Sequence, residues 1–452
     1  MPVLFLPAFD QRKACGFSCF VRREAATKSL LREWDKMKRI NSKWAVWLIF
    51  GVAYMIAFFH RYAIGVMTDL LTVEMGLNAA NLSLLASLYF YTYGILQIPT
   101  GMMVDAHGPR KVVLTGLGTV FVGSLLFAVS SHLMPLYVAR VFIGFGAATM
   151  FTSLFKIQTL WFKPNEFATL AGLTSVLGNL GAILATSPFV FAIFLIGWRA
   201  TYVLLAIFTL ALAVVILLFI QDRPSAHESD QRMTLAEKES DSSKGSVFKG
   251  FKEIAANKYT WLNMIILFTV FGSYMSFTGL WGVSYLINTY GISIEAASTY
   301  IMVFLSGTIV GSPSIGWISD RLGKRILVLR SCLLVLSVAW FVFLFIAPHF
   351  VSRPFLAFLH FLLGFTSISP MLCFTNVKEL NQKKYVGIAI GFVNISPFFG
   401  TAILNSVVAW FLQSSATAQN YQNGVRVYLL VSLAAFMASF FLKEAKEQAT
   451  AQ

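Results

Sequence analysis

Long apolar runs, broken by short polar turns, set the pattern of this chain. A helix rises 1.5 Å per residue, so crossing the hydrocarbon core of a bilayer takes about 20 apolar residues. Twelve runs are near or above that length, at 44–68, 82–104, 111–130, 134–157, 167–194, 198–220, 260–287, 296–318, 325–347, 353–377, 386–412 and 426–442. Alternating strands of about ten residues, the mark of a membrane barrel, are not seen. Helices must therefore satisfy the backbone inside the bilayer. The expected fold class is all-α and integral to the membrane, with twelve spanning helices in two bundles of six.

The only long polar stretch between runs, DRPSAHESDQRMTLAEKESDSSKGSVFKGFKEIAANK, divides the helices six and six. The expected organisation is a basic N-terminal tail 1–43, a first bundle 44–220, a linker 221–258, a second bundle 259–442 and a tail 443–452. Mixed charge and serine content suit a solvated linker, with a short amphipathic helix on the membrane surface around VFKGFKEIAANK. The opening MPVLFLPAF is too short to span and lacks a small-residue cleavage site, which argues against a signal peptide. Met37 begins MKRINSKWAVWLIF, a natural basic flank for the first helix and an expected alternative start of translation.

Composition agrees with the pattern. The chain of 452 residues is 57% hydrophobic and 12% charged, whereas soluble domains are about a quarter charged. Its net charge of +15 is spread by loop and not gathered on one soluble module, so nucleic acid is not an expected partner. Bases crowd the N-terminal tail and the turns at Arg110 and Lys111, Lys163, Arg321 to Arg325, and Lys383 and Lys384. Intervening turns such as TDLLTVEMGLNAAN and NTYGISIEAAS carry none and lean acidic. By the positive-inside rule both termini are expected in the cytoplasm, in a plasma or bacterial inner membrane. Cys15, Cys19, Cys332 and Cys373 lack metal-binding spacing and read as unpaired thiols, so no metal or cofactor is expected.

Features recur at a nearly fixed offset. Gly101, Asp105, Gly108 and Arg110 in GMMVDAHGPRKVV return 215 residues later as Gly316, Asp320, Gly323 and Arg325 in IGWISDRLGKR. RVFIGFG at 140–146 finds HFLLGFT at 360–366, and Gly172 and Gly181 find Gly391 and Gly400. The chain is a tandem duplication of a six-helix unit.

The pattern G-x-x-x-D-x-x-G-x-[KR] between helices two and three, repeated between eight and nine, resembles the major facilitator superfamily of transporters over roughly 44–442. Gly101 and Gly316 would permit close packing near a helix end, and Gly108 and Gly323 a tight turn. The resemblance implies that Asp105 meets the positive end of helix eleven near Val386 when the cytoplasmic side is closed, and that Asp320 does the same near Glu166 and Phe167. Such contacts form a latch for alternating access. Arg110 and Lys111 would hold the next helix at the headgroups. The family often has a base after the aspartate, as Arg321 follows Asp320; here Ala106 follows Asp105, so the first latch is expected to be the looser.

Charges inside membrane helices are costly and mark function. In AYMIAFFHRYAIGVM, His60 and Arg61 lie some 25 Å along helix one at 1.5 Å per residue. Arg140 reaches a similar depth in helix four, and Lys156 lies near the cytoplasmic end of that helix. The resemblance implies that helices one, four, seven and ten line a central cavity, with Arg61 gripping a carboxylate or phosphate; snorkelling to the headgroups is the alternative. Arg140 opens an R-x-x-x-G-x-G pattern similar to the family's helix-four signature for proton coupling, with structural hydrogen bonding as the alternative. His60 is a candidate for exchanging a coupling proton, or a neutral histidine bonded to a neighbouring helix. Trp281 and Tyr285 of helix seven, Tyr89, Tyr91, Tyr93 and Gln97 of helix two, and Asn376, Asn394 and Ser396 are further candidate cargo contacts.

GLTSVLGNLGAILATSP lacks the G-P pair that drug antiporters of the family usually carry in helix five, which weakens that reading. No HExxH, Walker loop or GxSxG is present, so the chain is expected to be neither an enzyme nor an ATP-driven pump. The expected function is secondary transport driven by a proton gradient, with uptake of a small organic anion, amino acid or peptide by a monomer. A proton-coupled exporter, a facilitative uniporter and a transport-fold ligand sensor are the alternatives.

Overall fold

The computed structural model describes residues 42–163, 166–221, 251–349, 352–382, 385–413 and 415–444. The N-terminal tail with Cys15 and Cys19, most of the linker, Lys383 and Lys384 and most of the C-terminal tail lie outside the described residues. Described residues 251–256 are helical, within the expected surface helix.

In chain order the helices are α1 (Lys43–Tyr62), α2 (Thr68–Met75), α3 (Ala79–His107), α4 (Pro109–Val129), α5 (Leu133–Trp161), α6 (Phe167–Leu184) and α7 (Ser187–Phe219) in the first half. The second half has α8 (Lys258–Tyr290), α9 (Ile294–Leu322), α10 (Arg325–Phe341), α11 (Arg353–Leu380), α12 (Val386–Asn394), α13 (Ser396–Phe411) and α14 (Ala418–Ser439). The described residues form an all-α membrane fold with no strand. Among them, ten segments are long and apolar enough to cross a bilayer. One of these, Gly172–Phe219, has 48 residues, the length of two spans, and Gly197 breaks it with a φ of 78°. With the 22-residue α14 added, the arrangement is consistent with twelve spans.

The duplication is written into the backbone. Gly76 ends α2 and Gly291 ends α8, both with a φ of 64°. Each is followed by a capping residue, Asn78 accepting from the Asn81 amide and Ser293 from the Ala296 amide. Gly108 and Gly323 end α3 and α9 with φ of 83° and 62°, in a region that side-chain-bearing residues rarely adopt.

In the first half α5 packs against α4 and α3, and α1 against α6; in the second, α9 packs against α11 and α10 against α14. Between the halves, α3 meets α13 and α6 meets α9, which are the same pairing seen from either repeat. We call the ends bearing Arg110 and Arg325 the basic face, and those bearing Gly76 and Gly291 the far face. At the far face a single apolar core runs from Tyr62 and Met67 into Phe277 and Leu280, joining the halves.

Candidate functional site

A seam closes the far side of the molecule. The tightened turn Ala63–Val66 that ends α1 lies against α8, where a Cβ on Gly65 would come within 3.0 Å of the Gly279 backbone. A side chain there would press the two backbones apart, which glycine avoids. Around it Tyr62 Oη donates to Tyr274 Oη at 3.0 Å, and Ser284 Oγ donates to Asp69 Oδ1 at 2.9 Å while sharing a short bond with Thr68. These partners are 212 to 216 residues apart, so the seam joins each repeat to its own counterpart across the pseudo-twofold axis. Ser87 donates to the Ala402 carbonyl, and Thr308 Oγ1 to Asn179 Oδ1. The cross-half hydrogen bonds among the described residues lie from mid-depth to the far face.

On the basic side of this seam the halves enclose a cavity of about 380 Å³. Tyr54, Phe58, Phe151 and Phe155 of the first half face Phe271, Tyr274, Phe374 and Phe398 of the second. Two wide helical turns, Leu267–Phe271 and Phe277–Trp281, flank Tyr274 on α8. Such turns are frequent at functional sites because they re-aim the side chains around them.

Arg61 sits at the closed end. It is 3% exposed, and its Cζ lies 4.3 Å from the Phe58 ring centroid, 5.1 Å from Tyr93, 5.5 Å from Phe398 and 5.8 Å from Tyr89. Among the described residues no carboxylate pairs with it, and its Nε has no hydrogen-bond partner. A desolvated cation left so is costly unless something anionic comes to it. Snorkelling to the headgroups does not describe this placement.

The other sequence candidates separate. Tyr93 and Asn394 lie on the cavity wall with Arg61. His60 does not: it points into the first bundle, with Nε2 3.3 Å from Ser124 Oγ and its ring 5.8 Å from that of Tyr202. Arg140 is likewise inside that bundle. Its Nη1 donates to the His60 carbonyl at 2.8 Å and its Nε to the Leu85 carbonyl at 3.1 Å, so it ties α1 and α3 to α5. Tyr89 donates to the Ala57 carbonyl at 2.8 Å and packs between both arginines. Gln97 is off the wall, with a buried Nε2 that has no partner among the described residues. Trp281 bonds the Asn405 carbonyl and Tyr285 packs on Phe343, both in the core of the second half. Asn376 is 3.4 Å from Asn263, Ser396 bonds the Val393 carbonyl, and Tyr91 packs edge-on to Phe399.

At the basic face the charges pair within their own halves. Lys156 is turned from the cavity and bonds Asp105 Oδ1 at 2.7 Å. Arg110 caps α7, donating to the Leu217 carbonyl at 2.5 Å, where a helix C-terminus attracts a cation. Arg325 bridges Asp320 at 3.0 Å and Glu379 at 2.9 Å. The close packing expected at Gly101 and Gly316 is not found: a Cβ on either would meet nothing within 4 Å. Both glycines lie on the side of the seam where the halves are apart.

The sequence reading passed over Gln158, Thr174 and Asn179, which line the cavity. Their signal was an uncharged polar residue inside an otherwise apolar helix, too common to stand out.

A sequence profile of the Major Facilitator Superfamily matches residues 50–307 and 266–452. The chain is similar to a probable sulfoacetate transporter of Cupriavidus necator, 26% identical over 293 residues covering 64% of this chain and 67% of that one. It is also similar to a probable hexose phosphate transport protein of Chlamydia muridarum, 24% identical over 391 residues covering 81% and 85%. Among solved structures it resembles a bacterial homologue of the human lysosomal transporter Spinster in an inward-facing, occupied conformation, with a TM-score of 0.71 at 15% identity, covering 89% of this chain and 97% of that one.

Proposed function

Because the chain belongs to the major facilitator superfamily, a family of membrane transporters and not of enzymes, we propose that it is a secondary carrier of small organic anions, working by alternating access. The observation that carries this reading is Arg61, a buried cation without a carboxylate partner among the described residues, at the closed end of a cavity between the halves. An anion entering the cavity gains a charge-assisted, bidentate partner there and relieves the cost of a buried guanidinium that has rings around it and no counter-charge.

In this reading the basic face is the cytoplasmic one, as the distribution of Lys and Arg suggests, and the structure is the inward-facing form. The far-side seam is then the outer gate. Asp105 and Asp320 would exchange their present partners for helix ends of the opposite half when the cytoplasmic side closes. Transport is uptake linked to a proton. Support for the proton comes from Asp69, the carboxylate that bonds across the outer gate, and not from His60, whose ring lies away from the cavity.

Purified protein in liposomes tests this directly. Accumulation of an organic anion should rise when the outside is made acid, and Arg61→Ala should abolish it. Anion binding without flux in the intact protein would instead favour a ligand sensor. Flux indifferent to an imposed pH gradient would remove the proton link.

A further inference from the structure

Resting on the anion-carrier reading, we propose that the cargo carries one negative charge on a flat, apolar body, as an arylcarboxylate or arylsulfonate does, and is neither doubly charged nor rich in hydroxyls. Charge count is the first support. Arg61 is the one charged side chain among the described residues of the wall. Moving from it by the 212 to 216 residues that separate seam partners reaches 273–277, where Ser273, Tyr274, Met275, Ser276 and Phe277 stand. The duplication has thus left no second cation opposite the first. Arg140 is tied to two backbone carbonyls and Lys156 to Asp105, so neither is offered to the cavity. A second negative charge buried here would find no partner, and an unpaired buried charge is strongly disfavoured.

Hydrogen bonding is the second support. Most polar side chains on the wall already hold partners within the protein. Gln158 Nε2 donates to Thr174 Oγ1 at 2.7 Å, Asn179 is held by the Ser175 carbonyl and Thr308, and Tyr62 is spent on Tyr274. A polyhydroxylated ligand would give up its water at every hydroxyl and find few replacements, and unmatched buried polar groups are expensive.

Shape is the third. The guanidinium stands within 5.5 Å of the ring centroids of Phe58, Tyr93 and Phe398, and the last two rings are 4.5 Å apart. An aryl ring inserted below Arg61 would meet ring faces and edges at stacking distance while its anionic group reached the guanidinium. A cavity of about 380 Å³ is at the small end for ligand sites and suits a single ring with a short acidic arm.

Four probes separate charge from body: phenylacetate, phenyl phosphate, gluconate and glucose 6-phosphate, each titrated against the full-length purified protein at pH 7.5. Thermal stabilisation and competition in liposomes give the readout. Phenylacetate should bind about tenfold more tightly than gluconate or glucose 6-phosphate, one stacked aromatic pair being of that size, and also more tightly than phenyl phosphate, whose second charge finds no partner. In Phe398→Leu, with folding checked by its ligand-free melting temperature, the preference for phenylacetate over gluconate should shrink severalfold. Gluconate or glucose 6-phosphate binding as tightly as phenylacetate would overturn the apolar body and leave the anion carrier standing. Phenyl phosphate binding as tightly would overturn the single charge. If none of the four binds, this inference and the anion-carrier reading both fall.

Discussion

The two repeats share a backbone plan and differ in where they place charge. On the seam Tyr62 meets Tyr274 and Asp69 meets Ser284, and by the Tyr62–Tyr274 offset the charged Arg61 of the first repeat corresponds to the neutral Ser273 of the second. The turns at the basic face diverge too. Asp105 is held by a lysine from α5, whereas Asp320 shares Arg325 with Glu379 from α11. Gly76 and Gly291 keep matched left-handed conformations, and Gly108 and Gly323 both keep a positive φ, because a membrane helix must start and stop at fixed depth. Charge is free to diverge wherever that constraint is absent. What the difference teaches is a division of work, in which the first half supplies the cavity's cation and the seam's carboxylate, and the second supplies neutral walls.

Exchanging this asymmetry at the cavity should have the largest effect. Arg61→Ala is expected to weaken anion binding by about 3 kcal/mol, roughly a hundredfold, as for truncation of one partner of a buried charge pair. Tyr274→Phe, on the opposite wall, removes one neutral hydrogen bond within the seam and none to the ligand, so it should change anion binding by less than about 1 kcal/mol. Isothermal titration of both variants against one anionic ligand checks the pair. Equal losses would show that the halves share the ligand alike.

The next effect concerns pH. Asp69 lies just past the first span, and burial pushes its carboxyl above the ordinary range, against the opposing bonds from Ser284 and Thr68. Tyr421 of α14 lies near it. A carboxyl whose pKa is raised in the closed seam holds its proton more tightly there than when the seam opens to water. Closure is therefore favoured below the ordinary carboxylate pKa and disfavoured as pH rises through the raised value. Labelling of a cysteine placed at Ser406, on the seam, should fall as the outside is acidified and should lose that dependence in Asp69→Asn. A dependence that survives the substitution would assign the proton to another group.

Smallest are the effects at the basic-face turns. The carboxylates of Asp105 and Asp320 are both 71% exposed, and exposed pairs contribute about 0–1 kcal/mol. Asp105→Asn and Asp320→Asn should therefore shift the melting temperature little. Each should slow transport while leaving ligand affinity nearly unchanged, the loss being in gating. Asp320→Asn should disturb the structure least, since Glu379 still holds Arg325. Unchanged flux in both would refute the latch.

Much of this was legible in the chain. Apolar length gave the spans because a bilayer imposes one length on every crossing, and the offset of 215 residues gave the duplication. Arg61 stood out because a cation inside a membrane helix is rare. Helical rotation concealed the rest. His60 and Arg61 are neighbours in sequence, yet about 100° apart around a helix of 3.6 residues per turn, so one enters the bundle and the other the cavity. Lys156 and Gln158 are two residues apart on α5 and point to opposite uses, a pair with Asp105 and a place on the wall.

The sequence by itself determined that this chain crosses a membrane repeatedly, that it is built twice over, and which few charges it carries into the interior. Only the tertiary structure decided which of those charges lines the cavity, that the seam joins each repeat to its own counterpart, and that the wall is aromatic. Those outcomes depend on how each helix is rotated and crossed against its neighbours, which packing sets and spacing along the chain does not.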